Sequence, residues 1–115
     1  MREARNEAKS YASWQPEAVK LAQTVLAGEI GLLAGARDLA AIGARLVHDV
    51  SSDPDFSVLV AVASETDDLP IGQVRALWDR SALTEKDREI ADYEARVREV
   101  VLAACRSIRT RYAAG

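Results

Sequence analysis

Cysteine occurs once in this 115-residue chain and histidine once, and these scarcities remove several chemistries at the outset. Cys105 alone cannot close an internal disulfide or supply a Cys-x-x-Cys metal site, so the composition suits a reducing compartment. Packed among Val101, Leu102 and Ile108, it reads as a small core residue. His48 has no second imidazole or cysteine pair with which to share zinc. Beside Asp49 at a predicted helix end, it reads as a positive group favoured by the helix dipole. The chain also lacks a Ser/His/Asp arrangement and a glycine-rich phosphate loop, because Gly28-Glu29-Ile30-Gly31 has no strand-turn-helix setting. Long apolar runs are missing too. Charge-free stretches such as Leu21 to Gly28 are less than half the roughly 20 residues needed to span a bilayer, and the charged residues Met1 to Glu7 have no apolar stretch behind them to form a secretory signal. With a net charge of −3 and a pI near 5.2, the chain holds too little clustered Lys and Arg for broad nucleic-acid binding. These absences predict a cytoplasmic protein without membrane or nucleic-acid partners, sized for one domain.

Helical periodicity is what the chain does contain. Residues 1–15 read as an N-terminal extension, with Ala4, Ala8, Tyr11 and Ala12 spaced for a short docking helix, and residues 16–115 as a single helical domain. Pro16 followed by Glu17 resembles the first turn of a long helix. From Val19 to Val47, apolar residues recur at spacings of three, four and seven. Gly28, Gly31 and Gly35 fall on one stripe of that helix. Each glycine costs roughly 1 kcal/mol there, so the stripe predicts close packing of another backbone, inside the subunit or across a homodimer, in preference to a break. Ser51-Ser52-Asp53-Pro54-Asp55 is a boundary, with Asp53 as a cap and Pro54 opening a new helix. Phe56 to Ala63 fits both a strand and a helical face, and is read as helix because no second strand is available to pair with it. Leu69-Pro70-Ile71-Gly72 is a turn, and Gln73 to Trp78 a short helix that Trp78 anchors. Thr84 with Asp87 resembles a capping box opening the last helix. The core seam of that helix is Ile90, Tyr93, Val97, Val100/Val101, Ala104, Ile108 and Tyr112, with Arg106, Arg109 and Arg111 as a solvated basic end. The sum is an all-α, irregular helical bundle of two long helices and two or three short ones.

The candidate site starts from Ser64-Glu65-Thr66-Asp67-Asp68-Leu69-Pro70. Glu65, Asp67 and Asp68 follow the C-terminal end of an apolar helix, where the macrodipole disfavours each by a few tenths of a kcal/mol, so a positive partner is expected. Glu29 and Arg37, each flanked by apolar residues at helical spacing, are expected to face the core and to need opposite charges as well. The leading reading is a buried ionic network of Glu29, Arg37, the acids at 65–68 and Arg75. The second is contact with a partner. The third is a divalent-cation site, such as magnesium on Glu29, Glu65 and Asp67, although the paired ExxE or ExxH motifs typical of bundles are absent.

In Ala27-Gly28-Glu29-Ile30, Gly35-Ala36-Arg37, Asp53-Pro54-Asp55-Phe56, Ser64 to Pro70, Val74-Arg75 with Trp78, and Lys86-Asp87, the chain resembles a family of small bacterial proteins of unknown function. Two positions depart from the family pattern: Ala34 stands where it carries an acid, and Asp68 where it carries a histidine. The resemblance implies no reaction, cofactor or substrate, but gives weight to Glu29, Arg37 and the Ser64 to Pro70 loop. On function, the sequence predicts an interaction or regulatory/immunity-type protein, not an enzyme, whose acidic loop meets a partner with a basic surface. A metal-assisted hydrolase acting on a phosphorylated or nucleotide substrate is the alternative.

Overall fold

The computed structural model describes residues 2–113, with side chains from Trp14 onward. The chain is an all-α bundle in the order α1 (Arg2–Leu26), α2 (Leu32–Leu46), a 3₁₀ turn (Val50–Ser52), α3 (Phe56–Glu65), a second 3₁₀ segment (Gly72–Leu77) and α4 (Arg80–Ala113). The expected docking contacts of Ala4, Ala8, Tyr11 and Ala12 lie outside the described side chains.

The long helix expected from Pro16 to Val47 is two helices. Gly28 takes φ +76°, a left-handed conformation that costs glycine nothing and other residues about 1 kcal/mol or more. The Glu29 N–H reaches back to the Thr24 carbonyl (3.0 Å) and the Gly28 N–H to Val25 (3.0 Å), the paired hydrogen bonds of a Schellman stop. The chain reverses, and α2 packs against α1. Of that stripe the close-packing expectation holds at Gly35 only; Gly31 stands at the N-cap of α2 with nothing nearer than 4.0 Å to an added β-carbon, and Gly43, outside the stripe, is packed closely as well. A β-carbon at Gly35 would run into the Val25 side chain, and one at Gly43 would lie 2.7 Å from Phe56 Cγ. The stripe thus serves contacts inside the subunit at Gly35, while Gly28 makes the break.

Pro16 does not start a helix; α1 runs through it. Proline removes one backbone hydrogen bond there, but its fixed φ is compatible with a helix, and the apolar face of Ala18, Ala22 and Val25, all buried, holds the segment against α4 and α2.

Asp53 caps α3 as expected. Its Oδ1 accepts the N–H groups of Asp55 and Phe56, each at 2.9 Å. Phe56, the chain's single phenylalanine, is fully buried together with Leu39, Leu59, Val101 and Ile108. Burying a side chain of this kind contributes about 2–3 kcal/mol. The run from Phe56 is helical, as its missing strand partner required.

The last helix begins earlier than Thr84. Asp79 is its cap: the Leu83 N–H bonds to the Asp79 carbonyl (2.9 Å), while the Asp79 carboxylate accepts from the Ser81 hydroxyl. Asp87 is thereby released for another partner. Over its 34 residues, α4 extends about 51 Å at 1.5 Å per residue, matching the 51 Å long axis of the molecule. Its inward seam holds Tyr93, Val101, Ala104 and Ile108 as expected, but Val100 is 51% exposed, because adjacent helical positions diverge by about 100° and only one of the two can face inward. The C-terminal end of α2 is closed by the Val47 N–H on the Gly43 carbonyl, and His48 is exposed beside it. No described helix is long and apolar enough to cross a membrane.

Candidate functional site

The loop after α3 is built by alternation. Thr66 turns inward, fully buried, and its hydroxyl donates to the Val62 carbonyl at 2.7 Å. Leu69 and Pro70 turn inward as well. Between and before them, Ser64, Glu65, Asp67 and Asp68 are exposed. The backbone is fixed by the Leu69 N–H on the Thr66 carbonyl (3.0 Å) and the Ile71 N–H on the Leu69 carbonyl (2.9 Å). From outside, Arg75 donates to the Pro70 carbonyl at 3.1 Å. The result is a pinned loop with its acids outward.

The ionic network expected among Glu29, Arg37, these acids and Arg75 does not assemble. Glu29 is exposed; with the helix stopped at Gly28, its helical neighbours are no longer neighbours in space. Arg37 is half-buried on α2 and closes no ion pair among the described residues. Of the loop acids only Glu65 has a protein partner there, the Tyr93 hydroxyl, which donates to it at 2.8 Å. Burial first, and then this bond to a carboxylate, push the Tyr93 phenol up to about 12. Water solvates the remaining acids, and a dipole penalty of a few tenths of a kcal/mol is too small to demand a cation. Arg75 takes Asp87 in a two-pronged pair at 2.7 and 3.1 Å, tying the 3₁₀ segment to α4. Trp78 follows that segment, half-buried. Glu29, Glu65 and Asp67 do not gather into a metal-holding group; among the described residues no cluster of three or more His, Cys, Asp or Glu could hold one.

Buried charge exists elsewhere, where the sequence predicts only a cap and a solvated helix end. Asp53 and Asp55 are 8% and 9% exposed, and Arg111 reaches both, at 2.7 and 3.4 Å. Ser107 donates a further hydrogen bond to Asp55 at 2.8 Å. Burial by itself would raise the Asp53 carboxyl, but the Arg111 guanidinium and the two cap N–H groups outweigh it and hold the carboxyl below its usual range. The readable signal was the second acid: a cap needs Asp53 alone, which leaves Asp55 unexplained. Every carboxylate oxygen in this knot that is buried has a partner, so its role is to strap the end of α4 to the start of α3.

Two further contacts place the edges. The Arg45 guanidinium lies 5.3 Å from the Trp14 ring centre, so Trp14 joins α1 to the last turn of α2. Burial pushes the Cys105 thiol up to about 11, as fits a core residue and not a nucleophile.

The 3₁₀ segment after the acidic loop exposes apolar side chains, Val74 at 42% and Leu77 at 85%. Beside it, the Ile71–Gly72 turn sits over α2, bordered by Ala34 and Arg37. The acidic loop, the turn and this apolar segment follow one another along the chain from residue 64 to 77, each with exposed residues. Among known proteins, no family model, no curated protein and no solved structure matches this chain significantly.

Proposed function

We propose that this protein is a small cytoplasmic interaction module of the regulatory or immunity kind, which offers the Ser64–Pro70 loop to a partner with a basic surface. The observation that supports it most is the loop's alternation: Thr66, Leu69 and Pro70 are buried while Glu65, Asp67 and Asp68 face solvent. A loop already ordered before contact saves the entropy that a flexible one would lose on binding, and its exposed acids steer a basic surface toward it. Val74 and Leu77, on the element that follows, supply the apolar contact that charge alone does not.

The test is a paired capture experiment. Asp67→Asn with Asp68→Asn removes two exposed charges, so the fold should change by less than about 0.5 kcal/mol, while capture of a basic partner from lysate falls away and wild-type capture weakens with added salt. Equal capture by the wild type and the double variant sinks the proposal. A melting temperature raised by millimolar magnesium or manganese would favour a metal-assisted role for Glu29, Glu65 and Asp67 instead.

A further inference from the structure

Two clefts meet at the Ile71–Gly72 turn. One, of about 200 Å³, is walled largely by apolar groups, among them Leu33, Pro70, Ile71 and Ile90. The other, of about 400 Å³, is lined by Arg37, Asp38 and Gln73, and shares Ala34, Ile71 and Gly72 with the first. The charged groups of the apolar cleft are already engaged: Arg75 by Asp87 and the Pro70 carbonyl, Glu94 by Arg98 at 2.8 Å. Arg37 differs. The residue is half-buried, and among the described residues its guanidinium donates no hydrogen bond and closes no ion pair.

From this juxtaposition we infer that the two clefts together bind a small aliphatic monocarboxylate, its hydrocarbon body in the apolar cleft and its carboxylate on the Arg37 guanidinium. The size fits: at roughly 30 Å³ per heavy atom, the smaller cleft holds about seven atoms. The charge fits too. A guanidinium fork matches a carboxylate with two parallel hydrogen bonds, and the desolvation of a half-buried arginine is offset when it gains one. Asp38, which lines the same cleft as Arg37, repels a second negative charge, which selects a monoanion over a phosphate or a diacid. This chemistry has two sources, a free branched acid or the C-terminal residue of a peptide. The inference stands independently of the acidic loop, since none of Glu65, Asp67 and Asp68 lines either cleft.

The test is titration with 4-methylpentanoate and with N-acetyl-Ala-Ala-Leu bearing a free carboxylate, each beside its uncharged amide. Calorimetry and backbone NMR shifts at Ile71, Gly72 and Gln73 provide the readouts. At least one acid should bind saturably and at least about tenfold tighter than its amide, a ratio expected of one charge-assisted contact. Arg37→Gln should erase that preference. Should Arg37→Gln fail to fold, Ala34→Leu fills the wall common to both clefts without touching the guanidinium, and should weaken binding by a similar factor. Whichever acid binds tighter identifies the source, and either result supports the site. Absence of saturable binding by both acids up to tens of millimolar, or amides binding as well as acids, overturns it.

Discussion

At the scale of single residues, partners matter more than positions. Glu65 was legible as an acid at a helix end in need of a partner, expected to be positive and buried; it is exposed, and the partner it has, the Tyr93 hydroxyl, lies 28 residues away, a pairing that no local pattern reports. Tyr93→Phe should cost about 0.5–1.5 kcal/mol, the usual worth of one hydrogen bond, read as a lowered midpoint of urea unfolding at unchanged slope. Arg111 is a larger case. Its side chain is 35% exposed while that of Asp53 is only 7% exposed, so removing the arginine strands two shielded carboxylates. Arg111→Ala should cost about 1–3 kcal/mol, below the 3–5 kcal/mol of a fully buried pair because water reaches one side. Lys at the same position should recover only part, since one ammonium cannot fork to two acids. A loss under about 0.5 kcal/mol for Arg111→Ala would show that the pair is ordinary surface.

At the scale of elements, the glycines decide. Sequence periodicity located the helical material from residue 16 to 47 well, and misread its start at Pro16 and its continuity, the latter because an apolar repeat continues across a reversal when both helices face the same core. Gly28 carried the relevant information. A helix ended by a left-handed glycine and one packed through a glycine look alike until the backbone hydrogen bonds are known. Substitutions separate the two roles. Gly28→Ala should destabilise by about 1 kcal/mol through the strained φ, although nothing lies near the added carbon. Gly43→Ala gains up to about 1 kcal/mol of helix propensity, yet its new carbon meets the Phe56 ring within 2.9 Å at three atoms. In a ring this deeply buried, overpacking of about 1–3 kcal/mol prevails, and calorimetric melting should show a net loss. If Gly43→Ala proves more stable than wild type, the contact between α2 and α3 is looser than described.

At the scale of the whole molecule, the helical class followed from periodicity and from the lack of a second strand, whereas the site did not, because the expected ionic centre depended on Glu29 remaining in a helix. Global titration tests the observed arrangement. Asp53 is held low against its burial by Arg111 and cap N–H groups, Asp49 by the Ser51 and Ser52 hydroxyls, Asp79 by Ser81 and Asp87 by Arg75. A carboxyl with a depressed folded pKa stabilises above its unfolded value of about 3.9 and loses that contribution as pH falls through the folded value. Groups raised in the fold behave oppositely: Cys105 at about 11 and Tyr93 at about 12 stabilise below their ordinary values and lose it as pH climbs toward the raised ones. Melting temperature should therefore be level from about pH 5 to pH 8, falling on the acid side through the four aspartates and on the alkaline side from about pH 9. Arg111→Ala should flatten the acid limb and Tyr93→Phe the alkaline one. A steep slope between pH 5 and 8 would contradict this set of partners.

The strap from Arg111 back to Asp53 and Asp55 also imposes an order of events during biosynthesis. Translation delivers the two acids more than fifty residues ahead of their counter-charge, and Val101, Ala104 and Ile108, which close the core, arrive just before it. The nascent chain can form its first hairpin early, but residue 111 must clear the ribosome before the interior is sealed. Maturation of this domain consequently waits on the far end of its last helix.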